Sequence, residues 1–171
     1  MILIPDILTT IRLVLVPFVF LSISKNEILT IILLIIALIT DILDGFLSRK
    51  LKIQNREFGK AYDHLVDKLL VFIIVYGLVI YKNLPNWALL FFLIREFILI
   101  IGAVFLWFNR KKIEGSNIFG KIAGFFFYSM VISYLFNFEL KFILLILSII
   151  SSILAFSIYV LRAIYFSNFQ S

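Results

Sequence analysis

The chain has no cysteine and very little charge. The absence of cysteine from all 171 residues excludes disulfides, zinc–thiolate centres and cysteine nucleophiles, and it leaves the redox compartment open. Charged residues make up only 15%, against about a quarter in a soluble domain. Apolar residues take their place: 63% are hydrophobic and the mean hydropathy is +1.13. The lipid bilayer is therefore the solvent in which the few remaining charges have to be understood. Linkers, low-complexity tracts and convincing internal repeats are also lacking, so a single domain over residues 1–171 is expected. The first twenty or so residues contain no small-residue cleavage site and are interrupted by Asp6, Arg12 and Pro17. A retained first helix is expected there rather than a signal peptide.

Uncharged stretches mark six candidate spans, at residues 5–23, 28–48, 60–81, 85–108, 118–137 and 140–163. Each approaches the ~20 residues needed to cross a hydrocarbon core of ~30 Å. Apolar side chains run around all faces of most of them, which indicates helices rather than the short alternating strands of a barrel. The expectation is an all-α polytopic membrane protein with six transmembrane helices. The connection between spans two and three holds Arg49, Lys50, Lys52 and Arg56, and that between four and five holds Arg110, Lys111 and Lys112; the other connections hold only Lys25, Lys82 and Lys141. The positive-inside rule then places both termini and the two basic connections in the cytoplasm, within the cell (inner) membrane. The net charge of +6 is accounted for by facing anionic inner-leaflet lipid, and a nucleic-acid partner is not expected.

Against this background the carboxylates stand out. Asp41 and Asp44 lie near the cytoplasmic end of the second span, and Asp63 and Asp67 near that of the third. Spacings of i, i+3 and i, i+4 put each pair on one helical face. Asp41 precedes Leu47 by six residues, about 9 Å along a helix at ~1.5 Å per residue, so the cluster is recessed below the membrane surface. Ionisable groups at such depth are expensive and mark function by default. Two such faces turned together make a pocket of hard oxygen ligands suited to Mg²⁺, Mn²⁺ or Ca²⁺. Four carboxylates have room for two ions, the arrangement that clamps a phosphoryl group during displacement. Gly45 and Gly59 let a ligand approach the backbone closely, and Arg49, one turn beyond Gly45, is placed to grip a phosphate oxygen. His64 points about 100° away from Asp63 on a helix and is given no role. Lys68 is expected to snorkel towards the interface.

Asp41-x-x-Asp44-Gly45-x-x-Ser48-Arg49, followed by Gly59-x-x-x-Asp63-x-x-x-Asp67, resembles the signature of the CDP-alcohol phosphatidyltransferases, six-helix membrane enzymes of phospholipid synthesis. Ser48 stands where the family usually has Ala, and nine residues separate Arg49 from Gly59 where about eight are usual. Pro5-Asp6-Ile7-Leu8-Thr9-Thr10-Ile11-Arg12, Arg95-Glu96-Phe97 and Gly120-Lys121-Ile122 are similar to elements of the bacterial members that use glycerol 3-phosphate. Asp6 replaces an Asn there, and Ala123-Gly124 replaces Lys-Thr.

The resemblance implies metal-dependent transfer of a phosphatidyl group from CDP-diacylglycerol to an alcohol, with release of CMP. It implies Mg²⁺ or Mn²⁺, two ions, held by Asp41, Asp44, Asp63 and Asp67, with Asp67 also as general base. Asp44, Gly45, Ser48, Arg49, Gly59, Thr9 and Arg12 form the expected nucleotide and pyrophosphate cradle. Arg95, Lys121 and Arg162 are the expected contacts to a small phosphorylated alcohol, with glycerol 3-phosphate first. Phosphatidylglycerol, inositol phosphate and serine are the alternative acceptors, and family members are often homodimers. From another class, the carboxylates suit a divalent-cation transporter or channel. A transporter usually carries polar groups at midplane on several helices, whereas spans five and six offer little beyond hydroxyls and one Asn.

Overall fold

The computed structural model describes residues 4–50, 57–108 and 118–168. All of the described secondary structure is α-helical: α1 (Ile4–Lys25), α2 (Glu27–Lys50), α3 (Glu57–Lys82), α4 (Asn86–Phe108), α5 (Ile118–Leu135) and α6 (Lys141–Asn168). Each helix overlays one expected span, with boundaries differing by a few residues. The helices stop where backbone groups find local partners. Asn26 alone separates α1 from α2, and its side-chain oxygen accepts a hydrogen bond from the Leu29 N–H at 3.0 Å, capping the orphan donors of the α2 N-terminus. Asn83 and Asn137 follow α3 and α5 with φ of 58° and 55°, the left-handed conformation that turns the chain away from a helix axis. After α5 the Phe138 N–H donates to the Ser133 carbonyl at 2.9 Å and the Asn137 N–H to that of Tyr134 at 3.3 Å, which completes a Schellman closure.

The chain forms two compact units, Met1–Ile98 and Leu99–Ser171. In the first, α1 packs against both α2 and α3. Val16, Val19 and Ile23 of α1, Leu34 and Ala37 of α2, and Val66, Leu70, Ile74 and Leu78 of α3 are buried. The α3 set recurs every four residues, the spacing of one helical stripe. α1 and α3 approach closely at Gly77: a Cβ there would lie 2.6 Å from Ile23 Cδ1 and 3.5 Å from Phe20 Cδ2. Nearby, Phe20 stacks on Tyr76 with centroids 6.0 Å apart. Thr30 Oγ1 of α2 donates to Ser22 Oγ of α1 at 2.9 Å.

In the second unit α5 packs on α6. Phe127, Met130, Val131 and Tyr134 of α5 and Leu145, Ser148, Ser151 and Ser152 of α6 are buried. Small hydroxylated residues allow close helix approach where lipid gives no hydrophobic driving force between helices.

The exterior is apolar. Ile28, Phe97, Phe125 and Leu161 are each about two-thirds exposed, between 65% and 68%, with many more Ile, Leu and Phe side chains around them. Contiguous exposure on that scale is foreign to a soluble monomer. Ile7–Lys25, Ile118–Leu135 and Lys141–Ile158 are long and apolar enough to cross a bilayer by composition alone. Ionisable residues also lie within the apolar stretches of the other three helices: Asp41 and Asp44 in α2, Asp63, Asp67 and Lys68 in α3, Arg95 and Glu96 in α4. The fold is that of a membrane protein whose carboxylate cluster lies in its first unit.

Candidate active site

Three helices of the first unit bring polar side chains to one place, and the helix at the centre is α1. Thr9 and Arg12, at i and i+3, share a face of α1 and are both buried, at 0% and 1% exposure. Packing of α1 against α2 and α3 turns that face towards the aspartates of both. Arg12 Nη1 lies 3.1 Å from Asp63 Oδ1 and also pairs with Asp67 Oδ1, while Nη2 lies 3.3 Å from Asp41 Oδ1. Thr9 Oγ1 donates to Asp63 Oδ1 at 3.2 Å and approaches Asp44 Oδ2 at 3.5 Å.

Asp41, Asp63 and Asp67 each offer a carboxylate oxygen, and these atoms lie within 4.8 Å of one another. Their side chains keep 48%, 26% and 36% of their surface exposed, so the oxygens converge beside an opening rather than in a sealed core. Asp44 stands just outside this trio, 4% exposed behind Thr9. Hard oxygen donors at this separation fit a divalent cation. A water-poor surrounding strengthens the attraction.

The structure thus joins Thr9, Arg12, Asp41, Asp44, Asp63 and Asp67 in one site. Gly45, Ser48 and Arg49 lie in α2, Gly59 in α3 and Arg162 in α6, with their side chains outside the described residues. Lys121 is exposed near the start of α5, in the second unit. Arg95 has a partner that sequence spacing leaves open: its Nη1 lies 2.5 Å from Glu96 Oε1. Lys68 does not extend as a lone snorkelling charge. It pairs with Glu96 Oε2 across to α4, so Glu96, with its side chain 12% exposed, holds two cations. The arrangement of Lys68 and Glu96 escapes sequence reasoning because it needs the mutual rotation of α3 and α4. The central place of Arg12 has one signal in the sequence, a lone cation three residues after a Thr in an otherwise apolar first span.

A model of the CDP-alcohol phosphatidyltransferase family matches residues 2–154, a stretch that includes every residue of the acidic site. The chain belongs to that family. It is 32% identical over 126 residues to the CDP-diacylglycerol–glycerol-3-phosphate 3-phosphatidyltransferase of Aquifex aeolicus (strain VF5), covering 72% of this chain and 70% of that protein. It is 37% identical over 91 residues to the protein of the same name from Bacillus subtilis (strain 168), covering 53% of this chain and 46% of that one. A probable CMP-forming cardiolipin synthase of Drosophila melanogaster is 35% identical over 104 residues, covering 60% of this chain and 32% of that protein. The matched stretch therefore spans most of the first relative and less than half of the other two. CDP-alcohol phosphatidyltransferases are metal-dependent enzymes of phospholipid synthesis, and membership implies CDP-diacylglycerol as donor and an alcohol as acceptor. The carboxylates of Asp41, Asp63 and Asp67 are the place in this chain where such a metal fits.

Proposed function

We propose that this chain transfers a phosphatidyl group from CDP-diacylglycerol to glycerol 3-phosphate and releases CMP. The observation that carries the reading is the convergence of Asp41, Asp63 and Asp67 around Arg12, on residues that belong to the family signature. The names of the Aquifex and Bacillus relatives support glycerol 3-phosphate as the alcohol. In this reading Asp41, Asp44, Asp63 and Asp67 hold two Mg²⁺ or Mn²⁺ ions, which would neutralise charge gathering on the transferring phosphoryl group. Asp67 takes the proton of the attacking hydroxyl. The hydroxyl oxygen forms its bond to the phosphorus that bears diacylglycerol, and the bond from that phosphorus to the bridging oxygen breaks. CMP carries that oxygen away. Thr9, Arg12, Gly45, Ser48, Arg49 and Gly59 cradle the nucleotide and pyrophosphate, and Arg95, Lys121 and Arg162 receive the phosphate of the acceptor.

Six spans, both termini in the cytoplasm and a site opening on that side are part of the same proposal. The clustering of Lys and Arg in two of the five connections supports it, and so does the need for a soluble acceptor to meet a lipid donor. The family match runs through both compact units, which supports residues 1–171 as one functional domain. The Drosophila relative favours one second reading, with phosphatidylglycerol as the acceptor. The test is CMP release by purified protein in lipid with Mg²⁺ and CDP-diacylglycerol, one acceptor at a time. Release with glycerol 3-phosphate is the expected result. Release with phosphatidylglycerol alone would transfer the assignment to the second reading, and no release with any acceptor would end both.

A further inference from the structure

Two cations share one carboxylate between α3 and α4. Lys68 Nζ of α3 pairs with Glu96 Oε2, and Arg95 Nη1 lies 2.5 Å from Glu96 Oε1. Engaging both oxygens of one carboxylate holds the ammonium and the guanidinium side by side. Neither cation is sealed in, since the Lys68 and Arg95 side chains keep 32% and 26% of their surface exposed. Arg95 Nε is buried with no acceptor among the described residues. As a structural ion pair the group has one cation more than it needs. Arg95 precedes Glu96 on the same helix and already serves it, so the burial of Glu96 does not call for Lys68. Drawing a second cation from another helix sets two like charges close together, which is costly where water is scarce. Part-buried ion pairs are in any case weak sources of stability. An ammonium with three N–H groups beside a guanidinium with five is instead what the clustered oxygens of a phosphate monoester can use.

The place of Lys68 on α3 indicates the kind of molecule that would reach it. Asp67 and Lys68 are successive residues and diverge by about 100° on a helix: Asp67 pairs with Arg12 of α1, whereas Lys68 pairs with Glu96 of α4. A short molecule with a hydroxyl at one end and a phosphate at the other can span that divergence. We propose that Lys68, together with Arg95, binds the phosphate of the acceptor and selects a phosphate monoester over a phosphodiester, with Glu96 as the positioning residue that holds the two cations together. The inference rests on the reading of glycerol 3-phosphate as acceptor and adds Lys68 and Glu96 to it. The hydroxyl then faces Asp67 and the phosphate faces Lys68. A monoester, with a charge of about −1.5 to −2 near neutral pH, draws on both cations, and a singly charged diester gains less.

The test measures CMP release by the full chain in lipid nanodiscs with Mg²⁺ and CDP-diacylglycerol while glycerol 3-phosphate is varied. Lys68→Met should raise KM for glycerol 3-phosphate by about tenfold or more, as expected for a lost hydrogen bond between charged groups. Its kcat should fall by less than about threefold, the pattern of lost ground-state binding. Lys68→Arg keeps the charge and should return KM to near the native value. Lys68→Gln serves in place of the Met variant if that one does not fold. In the native protein inorganic phosphate should compete with glycerol 3-phosphate more strongly than dimethyl phosphate does, and the preference should shrink in Lys68→Met. A purely structural tie would lower the amount of folded protein, and so the apparent kcat, without moving KM. An unchanged KM in Lys68→Met would therefore overturn the assignment, and so would equal inhibition of the native protein by the two phosphates. Absence of CMP release by the native protein with glycerol 3-phosphate would instead overturn the acceptor reading, and the phosphate site with it.

Discussion

The two ends of the α1–α3 bundle are both tied by charge, and they differ in how many carboxylates share one cation. At one end Arg12 meets Asp41, Asp63 and Asp67. At the other, some 20 Å away along α1 at ~1.5 Å per residue, Lys82 of α3 meets Glu27 of α2 at 2.5 Å. The second pair is one to one, and Glu27 keeps 41% of its side-chain surface exposed. Such a pair adds little to stability and asks for no further partner. The first group gathers three carboxylates on one buried guanidinium, with their oxygens within 4.8 Å of one another, a donor set that suits a divalent cation. The same three helices therefore offer a scaffold at one end and a candidate site at the other, and the gathering of carboxylates on one cation is what separates them.

The largest expected effect breaks the site end alone. Asp67→Asn should lower the rate of CMP release by ~10³-fold or more, within the range for loss of a general acid–base group that also touches the metal site, while helix content stays native by circular dichroism. Glu27→Gln should leave the rate unchanged. An equal loss in both variants would mean that the contrast between the ends is not functional. A smaller effect is expected at Glu96, where one carboxylate serves Lys68 and Arg95. Glu96→Gln should lower unfolding stability by about 1.5–3 kcal/mol, the usual worth of hydrogen bonds to charged groups, and it should raise KM for the anionic acceptor more than it lowers kcat. A change in kcat alone would separate this second cluster from acceptor binding.

Much of this contrast can be read in the sequence. Six helices follow from the length and apolarity of the uncharged stretches, and the pairing of Asp41 with Asp44 and of Asp63 with Asp67 follows from helical spacing. What spacing cannot supply is rotation between helices. It makes Asp44 the equal of the other three aspartates, whereas packing sets it behind Thr9 and leaves Asp41, Asp63 and Asp67 as the converging trio. It shows Lys68 as a charge with no partner on its own helix, because Glu96 is 28 residues away in the chain. Gly77 escapes for the same reason: it has no motif around it, and only the approach of Ile23 from α1 gives it a purpose.

Gly77 also tests what holds the half of the bundle away from the acidic site. If packing does so, Gly77→Leu should cost about 1–3 kcal/mol by overfilling the α1–α3 contact, measured by thermal unfolding in detergent. Gly77→Ala should cost less than about 1 kcal/mol, because the atom its Cβ would meet is the mobile tip of Ile23. Equal costs for the two would show that the helices separate freely and that neither packing nor Gly77 defines the spacing.

The smallest effect is expected at the balanced pair itself, and it depends on pH. The Lys82 ammonium donates to Glu27 and holds its carboxyl below the ordinary value of 4.5. A carboxylate with a depressed folded-state pKa contributes stability that is fully present above its unfolded pKa and lost as pH falls through the folded one. The contribution of the pair should therefore be constant from neutral pH to about 5 and should vanish only below about 4.5. The melting temperature of Glu27→Gln should lie slightly below that of the native protein at pH 7 and converge with it under acid conditions. Added salt should narrow the difference at pH 7, since exposed charges are screened over about 8–10 Å at moderate ionic strength. A difference that instead grows on acidification, or that survives high salt, would show that Glu27 acts through something other than its pairing with Lys82, and this end of the bundle would then need a role beyond scaffold.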